Sequence, residues 1–366
     1  MKVGFYSPLP PARTGVADYA AALLKALRPL GEVEVDARKS DVALYQIGNN
    51  PMHTAIYRRA LDEPGVAVLH DAVLHHFLLG TSNEREYIAE FVYNYGAWSE
   101  DLGRDLWRNR SRSTGDAVYF RYPMIKRIAE RSLAVVVHNP AAAAMVRAHA
   151  PNAVIHEIPH LYIAPDPAPD ASEVIRLRHR LGIGEHTFLF AVFGYLRASK
   201  RLAAVLRAFL RARSEADMAL LIAGDFVSPD TERSVRPWLK EGAGIYRVGH
   251  TEEDEFWRYA AASDACINLR FPAAGETSGI ATRFMGLGKP VLVSEGVETS
   301  RFPETTCLKV DTGPAEEEMV REFMVWLARF PVDARAIGRR AAEYIRAEHA
   351  PSRVGRLYWD ALLKLV

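Results

Sequence analysis

Short apolar runs alternate with amphipathic helical patterns along almost the whole chain. Runs such as "VAVLHD", "LAVVVHN", "FLFAVFG" and "MALLIAGD" are nearly continuously apolar, so their side chains need cover on both faces. This pattern is typical of parallel strands connected by helices, and it predicts an α/β fold with doubly wound sheets. Because 366 residues exceed what one hydrophobic core usually serves, two domains are expected.

One proline-dense stretch, "HLYIAPDPAPDASEV", interrupts the alternation, which restarts after it. We interpret it as an interdomain linker between a first domain at residues 1–164 and a second at 165–350. Residues 81–131 are helical in pattern and rich in Tyr, Trp and Arg, which indicates an insertion in the first domain. Two such domains are expected to form a cleft at the carboxyl ends of their strands, where doubly wound folds bind ligands.

The composition is that of an ordinary soluble chain. The formal net charge is +1, which gives no reason to expect nucleic acid as a partner. Cys266 and Cys307 lie in apolar, strand-like contexts without CxxC spacing, as is typical of a reduced protein. The N-terminus lacks a signal-peptide pattern, and no segment reaches about 18 uncharged apolar residues. We therefore expect a cytoplasmic protein.

A first candidate anion site is the strand-to-helix turn "SPLPPARTGVADY". Gly15 allows the backbone to come close to a ligand, and the free amides of a helix start favour an anion. The alternative is an ordinary turn in which Asp18 complements the helix dipole.

A second candidate is "FGYLRASKRL", where Gly194 again follows a strand. Lys200 and Arg201 lie at a helix start, against the preference of the dipole for acids. Such cations are explained if a diphosphate lies between them and the helix amides. A solvated basic face is the alternative, and Arg197 and Arg270 are further cations available to this site.

The stretch "GETSGIATRFMGLGKPVLVSE" places one carboxylate, Glu276, before a helix start. It is interpretable as a helix cap. Thr277 and Ser278 supply capping hydroxyls of their own, however, so the carboxylate is available to accept hydrogen bonds from sugar hydroxyls.

Taken in order, "TGVADY", "GYLRASKR", "LLIAGD", "RVGH" and "GETSGIATRFMGLGKPVLVSE" resemble the motifs of the retaining GT-B glycosyltransferases of family 4. The resemblance covers nearly the whole chain and is most specific in the second half. It implies a GT-B architecture, in which two Rossmann-like domains face a central cleft and a terminal helix at residues 351–366 crosses back to the first domain.

The resemblance also implies roles for particular residues. Lys200 stands at the diphosphate-binding lysine position, and Glu276 matches the first glutamate of the donor motif, which orients the sugar. Gly249 in "RVGH" is expected to border the nucleotide base. The full set of expected donor-binding residues is Gly15, Gly194, Arg197, Arg201, Gly249, Arg270, Thr277, Ser278, Gly279 and Arg283.

Two positions depart from the family pattern. The second glutamate of the motif, which normally holds the ribose, falls on Arg283, and the arginine that usually follows the phosphate-loop glycine is Tyr195. Arg270 or Arg201 is available to replace the lost cation. We interpret both departures as variation within the family.

On the first domain, the resemblance places Asn49, Asn50, His70 and Asp71 on the acceptor side of the site, with His70 as a candidate catalytic group. A structural histidine at a strand end is the alternative for His70. Three other histidines are interpreted as packing or polar-network residues: His75, His76 and His138. No Asp-x-Asp or HExxH motif accompanies them, so no metal is expected.

Residues 102–131 carry eight basic and three acidic residues, with aromatic residues interleaved. The segment from Arg104 to Arg131 is therefore a candidate for peripheral contact with an anionic membrane or a lipid-phosphate acceptor. A solvated, salt-bridged helical face is the alternative.

The predicted function is that of a retaining, hexosyltransferase-type enzyme (EC 2.4). It moves a sugar from a nucleotide-diphosphate donor to a sugar or lipid-linked acceptor, as in cell-envelope polysaccharide synthesis. No cofactor is expected beyond this co-substrate. The alternatives are a nucleotide-sugar epimerase of similar architecture and a non-catalytic nucleotide-sugar-binding protein.

Overall fold

The computed structural model describes residues 1–113, 115–240 and 242–366, and Thr114 and Glu241 lie outside this description. The chain divides into two compact units. The first comprises Met1–Leu161, Pro272–Thr277 and Glu348–Val366, and the second comprises Tyr162–Phe271 and Ser278–Ala347. The sequence analysis places one boundary at residue 164 and does not anticipate that Pro272–Thr277 belongs with the first unit.

The first unit contains a six-stranded sheet within its described residues. Its strands are β1 (Lys2–Tyr6), β2 (Glu32–Val35), β3 (Val42–Ile47), β4 (Val66–Leu69), β5 (Ala134–Val137) and β6 (Ile155–Glu157). They lie in the order β2-β1-β3-β4-β5-β6, and all pairs are parallel. The order reverses between β1 and β3, and this switch point opens a crevice outside the carboxyl ends of the two strands.

Helices connect these strands. They are α1 (Gly15–Leu27), α2 (Thr54–Asp62), α3 (His75–Thr81), α4 (Glu84–Tyr95), α5 (Glu100–Arg108), α6 (Lys126–Arg131) and α7 (Pro140–His149). Helices α3 to α6 fall between β4 and β5 and include the predicted helical insertion at residues 81–131. The last helix of the chain, Pro351–Leu363, packs on α1, and the hydroxyls of Tyr19 and Tyr358 are 2.9 Å apart.

The second unit repeats the plan. Its strands are β7 (Phe188–Phe193), β8 (Met218–Ala223), β9 (Ile245–Val248), β10 (Ala265–Asn268), β11 (Val291–Ser294) and β12 (Leu308–Val310). Their order is β12-β11-β10-β7-β8-β9, again parallel throughout, with the switch point between β7 and β10. Its helices are α8 (Ala171–Arg180), α9 (Leu202–Ala212), α10 (Pro229–Val235), α11 (Glu253–Ala262), α12 (Gly279–Gly286), α13 (Glu316–Arg329) and α14 (Pro331–Glu348).

Burial of the central strands explains why the sheets form. Every residue of β7 and β8 is buried, because apolar clusters lie on both sides of the sheet. Strands that are apolar on both faces are stable where helices cover both sides of the sheet. The two parallel sheets confirm the predicted α/β fold with two Rossmann-like domains.

Among the described residues, the structure contains no helix that is long and apolar enough to cross a membrane. Both cysteines are buried and unpaired with each other. Burial raises the pKa of the Cys266 thiol to about 12 and that of Cys307 to about 11, so neither is a ready nucleophile.

Candidate functional site

The switch point of the second sheet carries a backbone-lined turn. Gly194 follows β7 with φ of +85°, and Gly224 follows β8 with φ of +139°. A Cβ atom added to Gly224 would lie 2.3 Å from the carbonyl oxygen of Gly194, so the two turns are in direct backbone contact. Glycine is needed at both positions because side chains do not readily adopt these conformations. The result is a close backbone contact between the turns after β7 and β8, at the carboxyl edge of the sheet.

Lys200 lies against this turn. It ends a short 3-10 turn before α9 and is 5% exposed. Its Nζ donates a hydrogen bond to the Phe193 carbonyl oxygen at 2.6 Å and lies 3.7 Å from where a Cβ of Gly194 would be. A largely desolvated ammonium is a strong local source of positive potential at this turn. The sequence prediction of a lysine beside the Gly194 turn therefore matches the local geometry, and its ligand stays a prediction.

Arg201 binds an acid of the second unit instead of facing an open anion site. It has a left-handed backbone (φ 58°), and its Nε donates to the carboxylate of Glu316, at 2.8 and 3.1 Å from the two oxygens. Glu316 is buried and begins α13, where its charge also complements the helix dipole. Arg201 therefore neutralises a buried acid within the fold, a partner that sequence reasoning missed.

Two other predicted cations flank the switch point. Arg197 is exposed at the start of the 3-10 turn. Arg270 follows β10, and its backbone N–H donates to Ser294 Oγ at 2.9 Å. The loops after β7 and β10 are tied together by a hydrogen bond from the Phe271 N–H to the Ser199 carbonyl oxygen at 2.8 Å. The structure thus brings Lys200, Arg197 and Arg270 to one edge of the sheet.

Helix α12 begins at the same edge of the second sheet, since it follows β10. Ser278 is its N-cap and accepts a hydrogen bond from the Ala281 N–H, and Gly279 is its first residue. Gly249 follows β9 beside Asp225, whose carboxylate oxygen would be 3.3 Å from an added Cβ. Tyr195, at the position of the arginine in the family pattern, is 41% exposed, so its ring lies at the surface.

Arg283 lies on α12 and binds within its own unit. Its Nη1 donates to Glu253 Oε2 at 3.0 Å, and its guanidinium stacks over the rings of Phe256 and Trp257. The same glutamate accepts a hydrogen bond from Trp257 Nε1 at 2.8 Å. Arg283, at the expected ribose position, therefore binds the carboxylate of Glu253. The sequence motif does not identify Glu253.

In the first unit, Gly15 begins α1 after the first switch point. Thr14 caps the helix by accepting a hydrogen bond from the Val16 N–H. A Cβ added to Gly15 would meet no atom within 4 Å among the described residues, so the fold does not itself require a glycine there. The open space at this helix start is consistent with the predicted approach of a ligand.

The predicted acceptor-side residues serve local backbone groups. Asn49 Oδ1 accepts from the Phe77 N–H at 2.7 Å, and the Asn49 N–H donates to Asp71 Oδ2 at 2.9 Å. Asn50 caps a 3-10 turn through the Met52 N–H. Asn49 and Asp71 therefore join the ends of β3 and β4, at the predicted edge of the sheet.

Glu276 is in the loop Pro272–Thr277 of the first unit, not in the first turn of α12. Its Oε2 accepts a hydrogen bond from the Ala274 N–H at 2.6 Å. Thr277 does not cap α12: its Oγ1 accepts from Asn139 Nδ2 at 3.0 Å, and the same amide nitrogen donates to the Gly275 carbonyl oxygen at 2.9 Å. The expectation of two capping hydroxyls is thus wrong for Thr277, because tertiary contacts use its hydroxyl.

Asn139 is the residue that sequence reasoning missed here. Its Oδ1 caps α7 by accepting from the Ala142 N–H, while its Nδ2 holds the Glu276 loop. A capping asparagine before Pro140 is visible in the sequence, but the partners of its amide are more than 130 residues away. Nothing local in the sequence indicates the second contact.

Histidines cluster beyond the ends of β3, β4 and β5. The Nε2–H of His70 donates to Gln46 Oε1 at 2.8 Å, and its ring packs on those of Tyr19 and His138. The Nδ1–H of His138 donates to the Ile158 carbonyl oxygen at 2.9 Å. Burial lowers the pKa of His70 well below its ordinary value and that of His138 to about 4, so both rings are neutral at pH 7. His70 therefore lacks the charge of a cationic acid at neutral pH.

Acidification is expected to destabilise the first unit through His138. Within the described residues its buried Nε2 has no hydrogen-bond partner, so a proton there would place an unsatisfied charge in the core. The folded pKa of about 4 is below the unfolded value near 6.5, so stability is complete above pH 6.5 and declines toward pH 4. Linkage gives a loss of about 2 kcal/mol from this group by pH 5. Urea unfolding at pH 7.5 and pH 5 measures this loss in the free energy of unfolding. In His138→Asn the loss between the two pH values should be smaller by about 2 kcal/mol. An equal loss in wild type and variant would contradict the role of His138.

The basic segment from Arg104 to Arg131 is partly paired with acids of the first unit. Arg104, Arg108 and Arg127 bind Glu100, Asp105 and Glu90 respectively. Arg131 donates to the Leu61 carbonyl oxygen. These pairs favour the salt-bridged helical face over a surface of uncompensated charge.

Comparison with solved structures identifies the fold. The chain matches Anabaena HepE in complex with UDP and glucose at a TM-score of 0.67 and 12% identity, with 100% of each chain covered. Sucrose-phosphate synthase of Thermosynechococcus elongatus matches at 0.69 and 14% identity, covering 100% of this chain and 99% of the other. WaaG, a glycosyltransferase of lipopolysaccharide biosynthesis, matches at 0.63 and 13% identity, covering 97% and 99%. No protein-family model and no curated protein sequence matches the chain.

These neighbours are GT-B glycosyltransferases. The chain therefore has the GT-B fold, and the predicted resemblance to this class of protein is confirmed in its architecture. At 12 to 14% identity the likeness is one of fold, and activity has to be argued from the site.

Proposed function

We propose that this protein is a glycosyltransferase that takes a sugar from a nucleotide diphosphate and transfers it, with retention, to a glycan or lipid-linked acceptor. The observation that carries the proposal is the buried Lys200 ammonium beside the Gly194 turn, at the switch point of the second sheet. This is where doubly wound folds bind ligands, and the charge suits a diphosphate. The match over the full chain to HepE, a protein solved with UDP-glucose, supports the same proposal.

In this proposal the second unit stabilises the leaving group. Negative charge develops on the diphosphate as the bond to the sugar breaks. A preformed positive site in a desolvated setting lowers the barrier because it needs no reorganisation. Lys200 supplies that charge, and Arg197 and Arg270 assist from the same edge of the sheet. Arg201 has a smaller share, because Glu316 already takes up its charge.

Retention is proposed to follow a front-face course, in which the leaving phosphate oxygen accepts the proton of the acceptor hydroxyl. The oxygen–sugar bond of the donor breaks, the acceptor oxygen bonds to the same anomeric carbon, and the proton passes to the diphosphate. This course needs no catalytic pair of carboxylates on the protein, unlike glycoside hydrolysis. His70, neutral and bonded to Gln46, is then a group that orients ligands through hydrogen bonds and not a proton donor.

Incubation with UDP-, GDP- and ADP-sugars tests the proposal. One donor should raise the melting temperature and release its nucleotide diphosphate when a glycan or lipid-linked acceptor is added. NMR of a donor-only incubation distinguishes the epimerase alternative, which would interconvert the sugar without an acceptor. Binding of a donor without release for any acceptor would instead favour the non-catalytic alternative.

Glu276 is proposed to orient the donor sugar, since it lies two residues before the α12 cap Ser278. We expect Glu276→Gln to weaken binding of the nucleotide sugar by at least about tenfold while leaving the free nucleotide diphosphate nearly unaffected, because glutamine removes the charge from a hydrogen bond of a kind worth about 1.5–3 kcal/mol. Calorimetry with both ligands measures this difference.

Glu185→Gln, which removes an exposed carboxylate before β7 and thus at the amino-terminal edge of the second sheet, serves as the control and should leave both affinities unchanged. Equal losses for the sugar donor and the free diphosphate in Glu276→Gln would show that the residue shapes the loop and does not contact the sugar.

A further inference from the structure

The amino-terminal edge of the second sheet holds a cavity of about 590 Å³. Its floor includes Phe188, which begins β7, and Pro290, which precedes β11, while α14 forms one wall. Gly194 and Arg270 follow the carboxyl ends of β7 and β10, so this cavity is at the opposite edge of the sheet from the candidate donor turn. Its volume is in the range of small-molecule sites.

Three arginines of α14 line this cavity from one helix face. Arg335, Arg339 and Arg346 are spaced by four and seven residues, which brings them within about 40° of one another around the helix. All three are exposed, and among the described residues none makes a side-chain hydrogen bond or ion pair. By contrast, the exposed Arg211 of the same unit binds Glu318 at 2.8 Å. The three guanidinium groups therefore retain their donors for an external anion.

Lys289 adds a fourth cation from the turn between α12 and β11. Its Nζ donates to the Ala261 carbonyl oxygen at 2.9 Å, and burial lowers its pKa. A nearby anion would favour its charged form. Of the two acids in the lining, Asp264 is already bound by Arg178 at 3.0 Å, which leaves Glu343 to oppose four cations.

Helix α14, which carries the three arginines, packs closely on the turn that carries Lys289. A Cβ atom on Gly338 of α14 would lie 1.9 Å from the Gly288 carbonyl oxygen, so helix and turn meet backbone to backbone. Gly288 itself has φ of +77°. This contact fixes the backbone of α14 against the turn that carries Lys289, and a preformed backbone lowers the cost of binding.

We propose that this cavity binds a small phosphate ester, a second ligand site separate from the donor site. Arginine forks match phosphate oxygens in pairs, and the apolar floor of Phe188, Leu287 and Pro290 accommodates the carbon body of the ester. A concave site of this volume fits a small molecule, whereas a helix that binds an anionic membrane buries an apolar face among the lipids.

Calorimetry with inorganic phosphate, pyrophosphate and glucose 6-phosphate tests the site on the full chain. We expect at least one of the three to bind wild type, and the Arg335→Ala/Arg339→Ala double variant to bind it at least tenfold more weakly. Arg340→Ala is the matched control, since it removes the same charge from the same helix outside the cavity and should keep wild-type affinity. Binding at the donor site would be equal in all these proteins, so the comparison does not depend on the proposed function.

Three results would overturn the proposal: no binding of any of the three probes, equal binding by wild type and the double variant, or equal losses in the double variant and Arg340→Ala. Sedimentation with vesicles containing anionic lipid distinguishes a membrane surface. Vesicle binding that requires Arg335 and Arg339, without binding of the soluble probes, would also contradict a small-molecule site. Melting temperatures near that of wild type confirm that the variants are folded.

Discussion

Replacing Lys200 with methionine is expected to lower the turnover of sugar transfer by about 10²–10³-fold, the loss found when one preorganised donor to a developing negative charge is removed. The Nζ of Lys200 lies beside the Gly194 turn, and methionine keeps most of the side-chain volume in this 5% exposed position while removing the charge. Because the charge acts most on the leaving group, kcat should fall further than affinity for the nucleotide sugar. Steady-state kinetics with the donor found by thermal shift measures both.

Lys240→Met is the control, because it removes an exposed lysine of the same unit. It should retain full activity. Since Lys200 also donates to the Phe193 carbonyl oxygen, the melting temperature of Lys200→Met must be measured in parallel. Turnover within a few-fold of wild type in a folded Lys200→Met protein would remove the basis of the proposed function.

Gly224→Ala is expected to destabilise the second unit by about 2–5 kcal/mol, the sum of overpacking and backbone strain, and to abolish nucleotide binding. The added Cβ would lie 2.3 Å from the Gly194 carbonyl oxygen and 2.8 Å from its carbon, both backbone atoms that cannot rotate away. The positive φ of 139° adds strain of about 1–3 kcal/mol. The turn beside Lys200 must then move, and with it the peptide groups proposed to meet the diphosphate. Urea unfolding and calorimetry with the nucleotide diphosphate measure the two effects.

Gly182→Ala separates strain from collision. Its φ is +67°, but an added Cβ would meet no described atom within 4 Å. We expect a cost of about 1 kcal/mol there, with nucleotide binding unchanged. If both variants were equally stable and Gly224→Ala still bound nucleotide, the close contact of the two turns would have no structural or functional consequence.

The strands that the sequence predicts well are the buried ones. β7 and β8 are apolar on both faces, so six consecutive residues in each indicate a covered parallel strand without further information. The sequence analysis does not identify β6 or β12, which have three residues each and lie at the edges of their sheets. Edge strands of this length carry too few apolar residues to form a pattern.

The candidate site likewise contains local features that the sequence predicts and distant contacts that it does not. Gly194 and Lys200 are six residues apart, and the glycine turn and the helix start that position them are local features. The sequence analysis predicts both Arg201 and Arg283 as donor-binding residues, but Glu316 and Glu253 bind them. Those acids are 115 and 30 residues away, and no spacing rule indicates such pairs.

By itself, the sequence determined two α/β units with parallel sheets and a glycine-and-lysine turn after the first strand of the second sheet, because each rests on short-range periodicity or backbone preference. Only the tertiary structure decided which charges are used within the fold and which face a cavity. It paired Arg201 with Glu316, assigned the Glu276 loop to the first unit through Asn139, and left Arg335 and Arg339 without an ion pair among the described residues. The energy of a charge depends on what surrounds it, and distant segments of the chain supply those surroundings.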